Sequence, residues 1–438
     1  MRTVWALSLF PISLLAGSNP VTYSKHLAPV LYKHCAGCHR PGDVAPFSVL
    51  TYQETRPWAA AIRQAVAKRT MPPWHADPKH GKFVNDSRLT DAEIALVASW
   101  AQQGAKEGNP ADLPPAPVFE PGWRIGKPDA VFAIPEFTLS DTGYDEQQTF
   151  VVETNFSEDK WVEAVELKPG NRKVVHHAHV WIEPRASAAA PQANAGAPRP
   201  KRVSYTLREG TRAYARPDAP VIDDGCGHPD GGMWPGSKPD ELASMLGSFV
   251  PGKDPEVWPA GIAKRIPAGA RLKFTIHYSK TTRQVETDAT SVGLRFSKQP
   301  PERELRRIDL HNLAFLIPPN AGNHPVTACY TFPEDADVLS YVAHMHFRGR
   351  SMRFEATYPD GRTDILLDIP KYDFDWQTKY INAAPVRLPK GTRLRLSATF
   401  DNSPNNPKNP DPSKTIRWGD NTVDEMMDGW LEFVSPRP

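Results

Sequence analysis

Residues able to do chemistry are few in this chain, and they are clustered. Near its start the stretch HCAGCH, residues 34 to 39, carries Cys35, Cys38 and His39 in the order Cys-x-x-Cys-His. That spacing suits two thioether bonds to the vinyl groups of a haem, with the histidine next in line as proximal iron ligand. Zinc is the competing reading of paired cysteines, but it needs a second ligand pair at finger spacing, and the sequence has none. For the sixth iron position RTMPPWHAD offers Met71 in a rigid proline turn, with His75 as its rival. Met71 is favoured, because Met/His ligation is the usual electron-transfer arrangement and raises the potential.

Several of the fourteen histidines lie much further on, inside segments that read as strands. A lone strand histidine is normally an interior residue with one hydrogen bond. Here they are grouped. His344 and His346 in YVAHMHFRG are two apart, so both rings would leave one face of a strand and could bind one metal together. His277 sits in KFTIHYSK, and VVHHAHVW supplies His176, His177 and His179. In a regular strand His177 and His179 share a face, whereas a site using both His176 and His177 needs a bulge or a strong local twist.

The elements that must position these groups fall into two kinds. Helical periodicity flanks HCAGCH: YSKHLAPVLYKHC leads into it, and RPWAAAIRQAVAKR and LTDAEIALVASWAQQGA follow, the last with Asp91 near its start and Gly104 at its end. Residues 19 to 107 are therefore expected to form a small all-α domain, and the segment resembles a class I cytochrome c, an electron carrier. A proline-rich linker, residues 108 to 123, follows. Beyond it FVVETNF, KVVHHAHVWIE, RLKFTIHYSK, LSYVAHMHFRG, SMRFEATY and TRLRLSATF read as strands, which predicts one or two β-sandwiches. The insert ASAAAPQANAGAPRP, 186 to 200, reads as a solvent loop.

Composition agrees with a multidomain, β-rich chain. At 438 residues it is too long for one core, and its 46 prolines suit short strands and turns better than long helices. A net charge of +2 with no dense basic run carries no footprint for nucleic acid or an anionic membrane. Residues 1 to 18, with Arg2 before an apolar stretch and Ala16, Gly17 and Ser18 after it, have the layout of a secretory signal. No later segment could span a membrane, so a soluble, exported, secreted or periplasmic protein is expected. Of the four cysteines, Cys226 and Cys329 remain, and a disulfide between them is plausible in an oxidising compartment; a copper thiolate is the alternative.

The order of motifs from about residue 125 to the C-terminus resembles the copper type II, ascorbate-dependent monooxygenases, the peptidylglycine α-hydroxylating and dopamine β-monooxygenase family. HH in a strand, HY about a hundred residues later, H-x-H before a glycine, and Glu-Met within DEMMDGW occur in that family's order, and Pro267 to Tyr278 looks like its segment before the third histidine. The resemblance implies two jelly-roll-like sandwiches, residues 124–298 and 299–438, with one copper on each. His176, His177 and His277 would hold the electron-storing copper. His344, His346 and Met426 would hold the copper that meets oxygen and substrate, with Met427 the adjacent alternative to Met426. A soft thioether favours Cu(I), the state required there.

Some positions depart from the family. Val342 stands where the peptide-amidating members place a carboxylate-holding arginine, and Asp428 where they place an asparagine, so a glycine-ended peptide is a poor substrate guess. Cys329 matches a family cysteine whose usual partner is missing. The expected function is hydroxylation of a C–H bond of a small molecule with O2, with an external electron donor feeding the coppers through the haem. A non-catalytic copper or electron-transfer protein, and a scaffold with structural histidines, are the alternatives.

Overall fold

The computed structural model describes residues 20–119, 122–140, 145–183, 205–206, 212–213, 244–250, 252–279, 284–312, 315–419 and 421–437. The expected signal, the 186–200 insert and Cys226 lie outside the described residues. Two compact units emerge: 1–72 with 87–118, and 73–86 with 119–438.

In the first unit the regular elements are helical, including Ala28–His34, Ala59–Ala67 and Asp91–Gln102. The last begins with a capping box: Thr90 accepts from the Glu93 backbone N–H, and the Glu93 carboxylate accepts from that of Thr90. The cap is thus Thr90, one residue before the expected Asp91. Gly104, at φ +89°, supplies the left-handed turn after the helix. Tyr23, Leu27, Leu31, Val97 and Trp100 form its buried core.

The second unit is mostly β. A six-stranded sheet runs through Ala130–Ala133, Ser291–Phe296, Lys160–Lys168, Ile262–Ile266 and Arg303–Glu304, with Glu256–Val257 paired to Lys160–Lys168. Facing it is a four-stranded sheet, Asp145–Glu153, Arg271–Ser279, Val175–Glu183 and Ser244–Phe249. Val162, Val165 and Leu167 from one and Val180, Leu272, Phe274 and Ile276 from the other share a core. Period-two alternation of Leu272, Phe274 and Ile276 with polar neighbours is what turns that strand inward.

Two further four-stranded sheets enclose a second core. One orders Arg306–His311, Asp428–Val434, Ala336–His344 and Lys379–Leu388; the other His324–Thr331, Arg393–Phe400, Gly349–Thr357 and Thr363–Ile369. Tyr341, Leu431 and Phe354, Leu396, Phe400 meet between them. Leu305 belongs to the first core and Ile308 to the second, so the chain crosses at 305–308 rather than at the expected 299. Cys329 is disulfide-bonded, while Cys35 and Cys38 form no disulfide.

One segment departs from the expected domain plan. Residues 73–86, read as part of the helical domain, are a strap on the second core. Trp74 and Ala76 are buried there, with the Trp74 ring edge-on to Tyr380 at 5.0 Å. Asp77 N–H donates to the Asp368 carbonyl at 2.8 Å, and Val84 N–H to that of Ile381 at 2.9 Å. Helix–turn periodicity gave no warning, because such a strap is held by partners roughly 300 positions away.

Candidate metal centres

Three histidines converge where two strands pair. In the antiparallel ladder of Val175–Glu183 with Arg271–Ser279, His177 lies opposite His277, yet the next pair is Val175 with Tyr278. His176 is therefore the extra residue of a β-bulge, which turns its ring to the side that His177 and His277 already share. Ring centroids are 5.2 Å apart for His176 and His177, 5.3 Å for His176 and His277, and 4.8 Å for His177 and His277. One ligand nitrogen from each lies within 4.8 Å of the others, the only such trio of His, Cys, Asp or Glu among the described residues. Burial, then the neighbouring imidazoles, hold His177 well below its ordinary pKa, so it offers a neutral ring. His177 Nδ1 is buried without a hydrogen-bond partner. Neutral, crowded imidazoles are a donor set for a cation such as Cu or Zn.

His344 ends the strand Ala336–His344, and His346 follows just beyond; both are buried and their rings are 5.2 Å apart. Each ring has its Nδ1 occupied. His344 Nδ1 donates to Gln377 Oε1 at 2.7 Å, and His346 Nδ1 to the Asp424 carbonyl at 3.3 Å. Both acceptors lack a proton, so Nε2 carries the lone pair on both rings. Burial pushes His344 down to about 4, and burial with His344 nearby holds His346 well below its ordinary value.

Glu425 fastens this corner. Its carboxylate accepts from His346 N–H at 2.8 Å and Arg348 N–H at 2.6 Å, which ties the residue before Met426 to the chain at His346. Burial nonetheless raises the Glu425 carboxyl to about 8. The adjacent methionines separate here: Met427 is fully buried in the second core, whereas Met426 is only half-buried.

The two histidine groups face the same aromatic side chains. Phe374 has its ring centroid 6.0 Å from both His176 and His346. Trp430 stacks on His344 at 5.5 Å and 11°, and meets His179 edge-on at 6.2 Å. His179 stands on the same strand face as His177, 5.2 Å away, but outside the trio. Phe374, Gln377 and Trp430 were not singled out from the sequence. Of these only Trp430 had a local signal, its place two residues after Asp428 on the strand that follows Glu-Met.

In the helical unit His39 Nδ1 donates to the Phe47 carbonyl at 3.2 Å, which again leaves Nε2 as the ligand atom. Phe47 packs on the His39 ring at 4.5 Å and on Trp58 at 4.4 Å, so the imidazole is held from one side. Burial, then Cys38, pushes the Cys35 thiol up to about 12, far from a reactive thiolate. Met71 lies in this unit, while His75 lies in the second, beside Asp373, Lys371 and Lys408.

No family model and no curated protein matches the chain. Among solved structures it is similar to the infectious bursal disease virus VP2 subviral particle, at 10% identity over 73% of this chain and 75% of that one, TM-score 0.17. It is also similar to a Sputnik virophage structure, at 9% identity over 74% of this chain and 90% of that one, TM-score 0.15. Superpositions this loose carry no argument about fold or function.

Proposed function

We propose that the chain is an exported copper-dependent monooxygenase of the type II kind, with a c-type haem domain fused in front of two jelly-roll-like sandwiches. The observation that carries the reading is the bulge at His176, which gathers His176, His177 and His277 into ligand range close to a second pair, His344 and His346. Cys35 and Cys38 would hold the haem and His39 and Met71 its iron. His176, His177 and His277 would hold one copper; His344, His346 and Met426 the other. Bound there, copper would supply one-electron transfer and activation of O2 toward a C–H bond, and haem a further one-electron store.

The chain's own residues would do the rest. Gln377 and the Asp424 carbonyl fix the tautomers of His344 and His346, and Glu425, the residue before Met426, is tied to the His346 backbone. Phe374 and Trp430 set aromatic faces beside His176, His346 and His344. Among the described residues no helix is long and apolar enough to cross a membrane.

Metal and haem analysis of one purified sample, with oxygen uptake under ascorbate, tests the reading. About two coppers and one haem per chain with oxygen uptake is expected. Copper without uptake would fit a non-catalytic copper or electron-transfer protein, and no copper a scaffold. Cys35→Ala should lose turnover driven by a reduced protein donor but keep part of that driven by ascorbate; equal turnover with both donors would remove the haem from the proposal.

A further inference from the structure

Next to the His344 pair lies a cleft walled by residues of both cores, including His179, Lys253, Arg307, Val342, Gln377 and Trp430. The lining holds three cations, Lys253, Arg307 and Lys379, against two carboxylates, Glu256 and Glu432. Those carboxylates are committed to lysines: Glu256 to Lys253 at 2.6 Å and to Lys379, Glu432 to Lys379 at 2.5 Å and to Lys264 at 3.4 Å.

Arg307 stands outside that cluster and is ion-paired with Asp309. Its Nε donates to Asp309, and its guanidinium is held between Trp430, 4.5 Å from the ring centre, and Trp181 at 5.5 Å. The side chain is only 7% exposed, yet Nη2 is buried without a hydrogen-bond partner. His179 Nδ1, from the same wall, is a second buried nitrogen in that state. A buried guanidinium edge lacking an acceptor is costly, and planar carboxylates are the acceptors that it fits best. One Trp430 ring lies against both Arg307 and His344, and Gln377 both lines the cleft and bonds His344.

We propose that this cleft receives the carboxylate of a small organic acid at Arg307 Nη2 and His179 Nδ1, and that the acid is the substrate class of the neighbouring His344–His346 centre. The second half rests on the monooxygenase reading; the anion site itself does not. Recognition of the acid comes from the strand Arg306–His311, which takes the place of a contact that Val342 cannot make.

The full chain is titrated with benzoate and with its uncharged counterpart benzamide, followed by calorimetry and by tryptophan fluorescence, with copper content measured on the same sample. Benzoate should bind saturably and at least tenfold tighter than benzamide. Arg307→Gln should weaken benzoate about tenfold or more and leave benzamide unchanged. Arg307→Lys, which keeps the charge without the fork, should fall between and serves if the glutamine variant does not fold. Equal binding of the two probes, no saturable benzoate binding, or full benzoate affinity in a folded Arg307 variant would overturn the proposal and leave these nitrogens to water. Copper uptake without benzoate binding sinks only this inference; benzoate binding by a chain that takes up no copper sinks the monooxygenase and spares the anion site.

Discussion

Gln377 accepts the Nδ1 proton of His344 at 2.7 Å, so the ring is left to ligate through Nε2. Neither residue has surface exposure to spare: Gln377 is 6% exposed and His344 5%. Gln377→Leu should leave Nδ1 buried and unpaired, free the tautomer, and cost about 1–3 kcal/mol of stability. Metal affinity at that centre should fall about 10–100-fold, measured by competition with a calibrated chelator, while the His176 centre keeps its own. Undiminished affinity would show that Gln377 does not orient the ring. At this scale the ligand types were legible early, since histidines two apart on a strand share a face whatever surrounds them. The partners that choose their tautomers were not, because Gln377 is 33 positions from His344 and Asp424 is 78 from His346.

The His176 bulge is a property of two strands together. Register is regular from Arg271 opposite Glu183 up to His277 opposite His177, and resumes with Tyr278 opposite Val175, so one residue is surplus. Deleting His176 should restore an unbroken ladder without moving any other side chain to the wrong face. Such a protein is expected to fold, with unchanged far-UV circular dichroism, and to bind copper at His177 and His277 at least about tenfold more weakly. His176→Ala, which keeps the bulge, should show a similar loss. Unchanged binding in both would exclude His176 as a ligand. Adjacent histidines on one strand require a bulge or a twist to share a site, but period-two arithmetic on that strand says nothing about its partner's count, which decides where a bulge falls.

On the scale of the whole molecule two features join distant parts of the second unit. Trp74, on the 73–86 strap, is 9% exposed and packs against Tyr380 and Phe83 in the second core. Trp74→Ala should therefore cost about 3–5 kcal/mol in urea unfolding of the β unit, although its neighbours in sequence read as a cytochrome. An unchanged midpoint would detach the strap from that core. The second feature is the ion cluster of Lys264, Lys379, Glu256 and Glu432, which links strands of the first core to strands of the second. Burial alone would raise the Glu432 carboxyl, but Lys379 and Lys264 hold it well below the usual carboxylate range. An unfolded glutamate titrates near about 4.3. Because the folded group titrates lower, its stabilisation is complete above the unfolded value and is lost as pH falls through the folded one. Urea midpoints should thus drop steadily below about pH 4, and Glu432→Gln should flatten that dependence while lowering stability at neutral pH.

By itself the sequence determined the element types and the ligand inventory. Local periodicity set the helices around HCAGCH and the six strands named from β-branched and aromatic runs, because side-chain spacing along one element decides which face can be buried. It could not determine which residues from separate elements meet. Tertiary structure alone decided that His176 joins His177 and His277 through a bulge, that Met427 is core while Met426 is not, and that residues 73–86 belong with the β unit. It also decided that Arg307 faces a cleft beside His344 with one edge unpaired. Each of these is set by strand register and by packing between residues far apart in the chain, and the pattern along a single segment does not encode either.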